Sequence, residues 1–232
     1  FRESVTWSAL SISGISFRYN KKGFIFDTKG QSVFSEDTEL LLQIMALMNS
    51  VVATEFMRIL APTLDFNSGT VAKTPFIRPL EQSKVTEIAQ GSIRLSRADW
   101  DSSELSWDFG KSPMLSIRKN PVGTMEPILY SSLSESWVNW ASDCATAISA
   151  MHELEHENNR HWIDVYGLQN ELSANVPEEE ITLARPDRRK DMAAFLSYAV
   201  GCMMGRYSLD KSGLILADAG DTVENFLAKV GK

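Results

Sequence analysis

The alternation of apolar and polar residues near the start of the chain predicts strands and a turn. Residues 15–19 alternate apolar and polar side chains, residues 20–23 (Asn-Lys-Lys-Gly) have the composition of a turn, and residues 24–26 (Phe-Ile-Phe) are all apolar. A short continuous apolar run is typical of a buried strand, and Gly23 accepts the positive φ that a turn requires. The pattern therefore predicts a β-hairpin with a four-residue loop.

Apolar residues with helical spacing follow this hairpin. Ser35 is a suitable N-cap, and a helix is predicted from there to about Leu60, with Pro62 ending it. The predicted core-facing residues are Leu41, Ile44, Leu47, Val51, Phe56 and Ile59. Residues 64–74 form a predicted loop. Pro75 and Pro79 then flank a short apolar segment, which places a predicted domain boundary at about residue 80.

The pattern after residue 80 is mainly helical. It predicts a helix over 81–91 that stops at Gly91, an irregular connection over 92–130, and a long helix from about 134 to a C-cap at Gly167. A further helix is predicted from the N-cap Asp187 to about Gly205, followed by a strand-like segment over 214–217 and a short terminal helix. The predicted fold class is α+β. Residues 1–80 form a small part with a strand hairpin and a helix, and residues 81–232 form a mainly α-helical domain.

Composition and charge narrow the classes of protein. Of 232 residues, 44% are hydrophobic and 23% are charged, which supplies enough apolar surface for a core and excludes a disordered chain. The net charge of −7 excludes a protein that is basic throughout. Residues 1–80 carry 8 basic and 7 acidic side chains, whereas residues 81–232 carry 15 and 23. Contact with nucleic acid is therefore easier to place in the first part.

Two cysteines, Cys144 and Cys202, are too few for a disulfide framework and predict buried reduced thiols in a cytoplasmic protein. No stretch has the pattern of a transmembrane helix, so no membrane partner is predicted. The chain begins at Phe1 without a signal-peptide pattern, and we expect it to be a fragment of a longer protein.

Three groups of polar and basic side chains are candidates for DNA contact, because such donors suit phosphate oxygens and base edges. The hairpin group is Arg18, Tyr19, Lys21 and Lys22. The loop group is Asn67, Ser68, Thr70 and Lys73. A weaker second patch is Arg185, Arg188, Arg189 and Lys190, for which a solvated face balanced by the acidic residues 178–180 is an equally good interpretation.

The residues 152–156 spell HELEH, which is the HExxH pattern of zinc hydrolases. In that pattern two histidines one helical turn apart bind zinc and the glutamate acts as general base. A third protein ligand is needed, and the remaining histidine, His161, stands next to a core tryptophan. A solvated helix face is therefore favoured, no metal ligand is assigned, and zinc hydrolysis is the least favoured function.

Five stretches together resemble the C-terminal half of PglX-type adenine-specific DNA methyltransferases, which belong to BREX phage-defence systems and are relatives of single-chain restriction-modification enzymes. The stretches are residues 6–8 with 16–19 and 23–27; 60–66 with Gly69 and Pro75; 99–101 with Glu104 and 106–109; 159–160 with Ile163, 166–168 and 171–172; and 191–192 with 197–203 and 205–210. The last stretch, SYAVGCM followed by GRYSLD, is the most distinctive. The resemblance extends over almost the whole chain, with the stretches in the same order.

The resemblance implies that residues 1–80 are the end of a target-recognition region that holds double-stranded DNA, and that residues 81–232 are a helical C-terminal domain. The parent enzyme would methylate N6 of adenine with S-adenosylmethionine. The family's glycine-rich adenosylmethionine loop and Asn-Pro-Pro-Tyr motif are absent from these 232 residues. We therefore expect no cofactor and no catalytic residue in this chain, with both located upstream. The alternative from another class is a protein-interaction module whose acidic helical part docks other defence-system subunits.

Overall fold

A computed structural model describes residues 2–12, 14–63, 65–115 and 132–231. The chain forms two compact units, each made from two stretches: unit 1 is Phe1–Leu95 with Ser149–Ile181, and unit 2 is Ser96–Ile148 with Thr182–Lys232. Within the described residues one antiparallel sheet of three strands accompanies seven helices, and about 51% of these residues are helical. The predicted α+β class is confirmed. The predicted domain boundary at about residue 80, which divides the chain into residues 1–80 and 81–232, stays a prediction.

The sheet of unit 1 consists of β1 (Ser4–Ser8), β2 (Phe17–Asn20) and β3 (Gly30–Val33), in the spatial order β2-β1-β3. Both neighbours of β1 are antiparallel to it. Val5 and Trp7 of β1 are buried, and the Trp7 ring lies 5.2 Å from that of Phe17. This side of the sheet therefore contributes to the core.

The predicted hairpin between residues 15–19 and 24–26 is wrong. The strand β2 forms near its predicted position, and Gly23 has the predicted positive φ of 108°. However, β2 pairs with the earlier strand β1, and residues 24–26 form no strand. A hairpin would place residues 24–26 beside the outer edge of β2, and the side chain of Asn49 occupies that edge at Phe17.

The predicted helix over residues 35–60 is two helices, α1 (Thr38–Met48) and α2 (Val51–Leu60), with a bend of 73° between them. Asp37, rather than Ser35, is the N-cap of α1, and Ser50 caps α2 with its side chain. Leu41 and Leu47 are buried as predicted, whereas Ile59 is exposed. Among the described helices none is by itself long and apolar enough to cross a membrane; α1 and α2 reach that threshold only as a bent pair.

The remaining helices are α3 (Ser68–Val71), α4 (Gln82–Asp101), α5 (Leu133–Tyr166), α6 (Arg188–Met203) and α7 (Val223–Val230), with 3-10 turns at Pro113–Leu115 and Glu178–Glu180. The predictions of α5 with its C-terminal Gly167, of α6 with the N-cap Asp187, and of the terminal helix agree with the structure.

Two further predictions differ from the structure. The helix predicted to stop at Gly91 continues as α4 to Asp101, and a Cβ at position 91 would lie 3.0 Å from Leu154 Cδ1. Glycine is therefore used here for close helix packing rather than for a helix end. Residues 214–217 are not a strand; the amides of Ile215 and Leu216 instead donate to carbonyls of the turn after α6. Residues 116–130 of the predicted irregular connection, and Leu64 of the predicted loop, lie outside the described residues.

Candidate nucleic-acid interface

The strand β2 places Arg18 on the outer face of the sheet. Phe17 points into the core, so the next side chain along the strand, Arg18, is exposed. The side chain of Asn49, at the end of α1, holds this strand in place: its Oδ1 accepts from the Phe17 amide at 2.9 Å and its Nδ2 donates to the Phe17 carbonyl at 2.9 Å. Tyr19 packs against the core of unit 1, which gives this candidate a structural role.

The turn after β2 presents Lys21 and Lys22 to solvent, as the sequence predicted for a turn. The connection from this turn to β3 ends in a second, tight turn that Asp27 organises. Asp27 Oδ1 accepts from the amides of Gly30 at 2.6 Å and Lys29 at 2.7 Å, and these hydrogen bonds lower the pKa of the Asp27 carboxyl. Lys29, exposed in this turn, adds a basic group that the sequence prediction did not include.

Between the two turns lie three exposed apolar side chains. Phe24, Ile25 and Phe26 are exposed for 54%, 78% and 59% of their surfaces, although the sequence pattern predicted a buried strand. The signal for a different role was the set of lysines at both ends of the apolar run, at positions 21, 22 and 29. Large apolar side chains in contact with water, close to basic ones, mark this connection as a candidate contact surface.

The loop group lies around the short helix α3, where two of its members stabilise the local fold. Asn67 is the N-cap: its Oδ1 accepts from the Thr70 amide at 3.0 Å and from the Thr70 hydroxyl at 3.2 Å. Ser68 and Lys73 are exposed. Loop geometry thus explains Asn67 and Thr70 without a ligand, while Ser68 and Lys73 are available for one.

The hairpin group and the loop group lie at opposite ends of β1. Asn20, next to Lys21, pairs with Ser4, whereas Phe66, next to Asn67, donates its amide to the Ala9 carbonyl at 2.7 Å. The Trp7 indole also donates to the Phe66 carbonyl at 2.8 Å. Five residues of extended strand separate these anchors by about 17 Å. The two groups therefore do not form one cluster, but they belong to the same sheet region of unit 1.

The second basic patch belongs to unit 2, at the beginning of α6. Asp187 accepts from the amides of Arg189 and Lys190 and lies 3.8 Å from Lys190 Nζ. The Arg188 guanidinium lies 5.8 Å from the centre of the Trp137 ring, a cation–π contact. Arg185 and Arg189 are exposed. Local contacts of this kind offset the cost of basic charge at a helix start, so they account for part of this patch without an anionic ligand.

The HELEH motif lies on α5, in unit 1. His152 Nε2 is 2.8 Å from the Val176 carbonyl oxygen, which accepts a hydrogen bond from the ring N–H, and His156 is exposed. Glu155 is partly buried, and this burial raises the pKa of its carboxyl. Among the residues that the structure describes, no group of three histidine, cysteine, aspartate or glutamate side chains could hold a metal ion. The described geometry thus gives His152 a packing contact and supplies no third ligand.

An open cleft of about 620 Å³ in unit 1 is lined by charges of both signs. Its basic groups are Arg78, Lys84 and Arg160, and its acidic groups are Glu81, Glu157 and Asp164. Lys84 and Glu157 form an ion pair of 2.9 Å across it. Burial lowers the pKa of His161, which also lines this cleft. Because opposite charges alternate here, the cleft does not select an anionic ligand.

Comparison with known proteins gives two extensive matches. The chain is 36% identical over 217 residues to the adenine-specific methyltransferase PglX of Lacticaseibacillus casei (strain Zhang), covering 94% of this chain and 18% of that protein. It is 32% identical over 238 residues to the adenine-specific methyltransferase BrxX of Escherichia coli O9:H4 (strain HS), covering 95% of this chain and 18% of that protein. No family model matches the chain.

The chain thus spans about a fifth of the length of the curated relatives it matches. The match extends over nearly the whole chain in both cases, which confirms the resemblance that the five sequence stretches indicated. The chain is therefore related, over almost all of its residues, to one segment of the PglX-type adenine-specific methyltransferases.

Proposed function

We propose that this chain is the DNA-holding and scaffolding part of an adenine-N6 DNA methyltransferase of a BREX-type or restriction-modification system. The observation that carries the proposal is the similarity to PglX and BrxX over 94–95% of the chain. The exposed basic side chains on and beside the sheet of unit 1 support it, since phosphate contacts fix the register of a protein on a duplex.

In this proposal the chain's own residues bind and orient the duplex. Arg18, Lys21 and Lys22 contact phosphates at one end of β1, and Ser68 and Lys73 contact DNA at the other end. A separation of about 17 Å along β1 corresponds to about five base-pair steps of 3.4 Å, so both groups can lie along one duplex. Arg189 and Arg185 of unit 2 form the weaker additional patch.

We infer that the connection from β3 to α1 is not an S-adenosylmethionine site. Sites for such cofactors use a glycine-rich loop between a strand and a helix, whose amides approach the ligand. Here β3 leads into α1 through residues 34–37, which contain no glycine and two acidic side chains. We assign the methyl donor, and the transfer to an extruded adenine, to parts of the parent enzyme outside this chain.

The proposal is tested by the binding of the 232-residue chain to duplex DNA between 50 and 200 mM salt. Affinity should fall as salt rises, and Lys21→Gln with Lys22→Gln should weaken binding at low salt. The slope of log affinity against log salt should become shallower by up to about 0.9 for each phosphate that the variant no longer neutralises.

Lys111→Gln with Lys211→Gln in unit 2 removes the same charge and should leave the slope unchanged. No binding at 50 mM salt would remove the proposal, and an unaltered slope in the first double variant would remove the turn from the interface.

A second candidate function is the docking of other protein surfaces by unit 2. Leu196, Val200 and Met203 of α6 are exposed for 55–84% of their surfaces and follow the i, i+4, i+7 spacing of a single helix face. Tyr198 and Gly201 occupy the buried face of the same helix. An exposed apolar face opposite the buried face of a helix indicates that another surface packs against it. That surface would belong to another part of the parent enzyme or to another defence-system subunit.

A further inference from the structure

The connection between β2 and β3 exposes large apolar side chains in a defined conformation. It begins at the turn of Gly23, with φ 108°, and ends at the Asp27 turn, where two amide hydrogen bonds of 2.6 and 2.7 Å fix the backbone. The Phe26 ring packs edge-on against Phe34 at 5.2 Å. Phe26, which is 59% exposed, thus has an aromatic contact within the chain, and we take Phe24 and Ile25 as the tip of the segment.

Basic residues accompany this tip on both sides along the chain. Lys21 and Lys22 precede it and Lys29 follows it, with Asp27 as the one acidic residue among positions 18–29. This concentration of positive charge stands in a chain whose net charge is −7. An apolar tip between basic groups is complementary to a nucleic-acid duplex, because stacked bases are apolar and the phosphates on either side of them are anionic.

We propose that residues 24–26 are a wedge that inserts between neighbouring base pairs of double-stranded DNA, with Phe24 and Ile25 entering the stack. This inference rests on the proposed function, since it assigns a contact within the same DNA interface. The lysines at positions 21, 22 and 29 contact the phosphates beside the opened step. Insertion of this kind unstacks and bends the duplex, and so lowers the cost of extruding a base.

The inference predicts a preference for DNA whose stacking is already interrupted. The probes are two duplexes of one sequence, one intact and one with a single abasic site, and a third duplex that carries 2-aminopurine at a central step. The full 232-residue chain should bind the abasic duplex about tenfold more tightly than the intact one, since less stacking is disrupted on insertion. It should also raise the 2-aminopurine fluorescence, which reports unstacking.

Matched variants test whether the abasic preference arises from residues 24–26 or from any exposed apolar side chain. Ile25→Ser and Phe24→Ala should abolish the preference and the fluorescence change while leaving the salt slope as it is in the unaltered chain. Ile59→Ser is the control, because Ile59 on α2 is 76% exposed and Ile25 is 78% exposed. It should behave like the unaltered chain. Thermal unfolding of each variant establishes that the fold is retained.

The possible results distinguish this inference from the function on which it rests. Binding to DNA with no abasic preference, or a preference that survives both substitutions, would overturn the wedge and leave the proposed function standing. Absence of any DNA binding would overturn both. Self-association of the chain that Ile25→Ser abolishes, with DNA binding unchanged, would assign the apolar tip to a protein contact and overturn the wedge.

Discussion

Asn49 shows how a single side chain can complete a sheet edge. β2 lies at one edge of the sheet, and an unpaired edge presents backbone groups that attract other chains. The Asn49 amide pairs with both backbone groups of Phe17 and so takes the place of a neighbouring strand at this residue. The next side chain along β2, that of Arg18, is exposed because side chains alternate between the two faces of a strand.

His161 predicts a dependence of stability on pH. Burial lowers its pKa below 6.5, with Lys84 acting in the same direction and Glu81 opposing them. The unfolded chain therefore binds more protons between the folded pKa and 6.5, and stability falls as the pH decreases through this interval. His161→Gln should make the unfolding midpoint less sensitive to pH between 7.5 and 5.5, as followed by thermal denaturation.

The exposed His156 supplies the control for this prediction. His156→Gln should retain the pH dependence of the unaltered chain. An equal loss in both variants would show that the effect does not arise from the burial of His161.

Sequence reasoning worked for residues whose role depends on their neighbours in the chain. Asp187 and Gly167 were predicted correctly as helix caps, because capping is decided within a few residues. Phe24 and Ile25 were placed in a buried strand, because burial depends on which strand is adjacent. Sequence pattern does not reveal that Asn49, more than 20 residues further along, occupies the edge of β2 beside which they would pair.

At the scale of elements, the bend between α1 and α2 illustrates the same limit. Asn159 Oδ1 of α5 accepts from the Val51 amide at 2.8 Å, and Asn158 Nδ2 donates to the Ala46 carbonyl at 2.8 Å. Polar groups that a continuous helix would pair internally are thus satisfied by a helix more than 100 residues further along. Apolar spacing on both sides of the bend is helical, so the pattern alone predicts one helix.

Asn158→Ala should destabilise unit 1 by about 2–3 kcal/mol, because it removes the partner of the Ala46 carbonyl and of the buried Trp162 indole. Urea denaturation with an unchanged m-value would measure this loss. Asn170→Ala, at an exposed position, should change the free energy of unfolding by less than about 0.5 kcal/mol. Equal effects of the two substitutions would contradict the structural role given to Asn158.

At the scale of the whole molecule, each unit combines a core with apolar side chains that are exposed in the part of the chain that the structure describes. In unit 2, Phe109, Tyr198 and Tyr207 form an aromatic cluster with ring distances of 5.2–5.9 Å, while Leu196 and Val200 on the outer side of α6 face solvent. The two relatives reported above are about five times as long as this chain.

Leu196→Glu with Val200→Glu tests whether that face is covered in the proposed parent enzyme. In the 232-residue chain the double variant should keep the thermal midpoint within a few degrees, because both side chains are solvated before and after the change. In the full-length enzyme the midpoint should fall clearly, since a charge would be buried against a neighbouring surface. Unchanged midpoints in both proteins would show that the face stays exposed.

The bend between α1 and α2 also has a consequence for biosynthesis. Its two asparagine contacts join residues 108 and 112 positions apart. At about 5–20 residues per second, the ribosome needs roughly 5–20 s to make the intervening chain. During that time the apolar side chains of α1 lack the helix that covers them, and chaperones that bind apolar segments have access to them. The residues of α1 are therefore made well before the helix against which they pack.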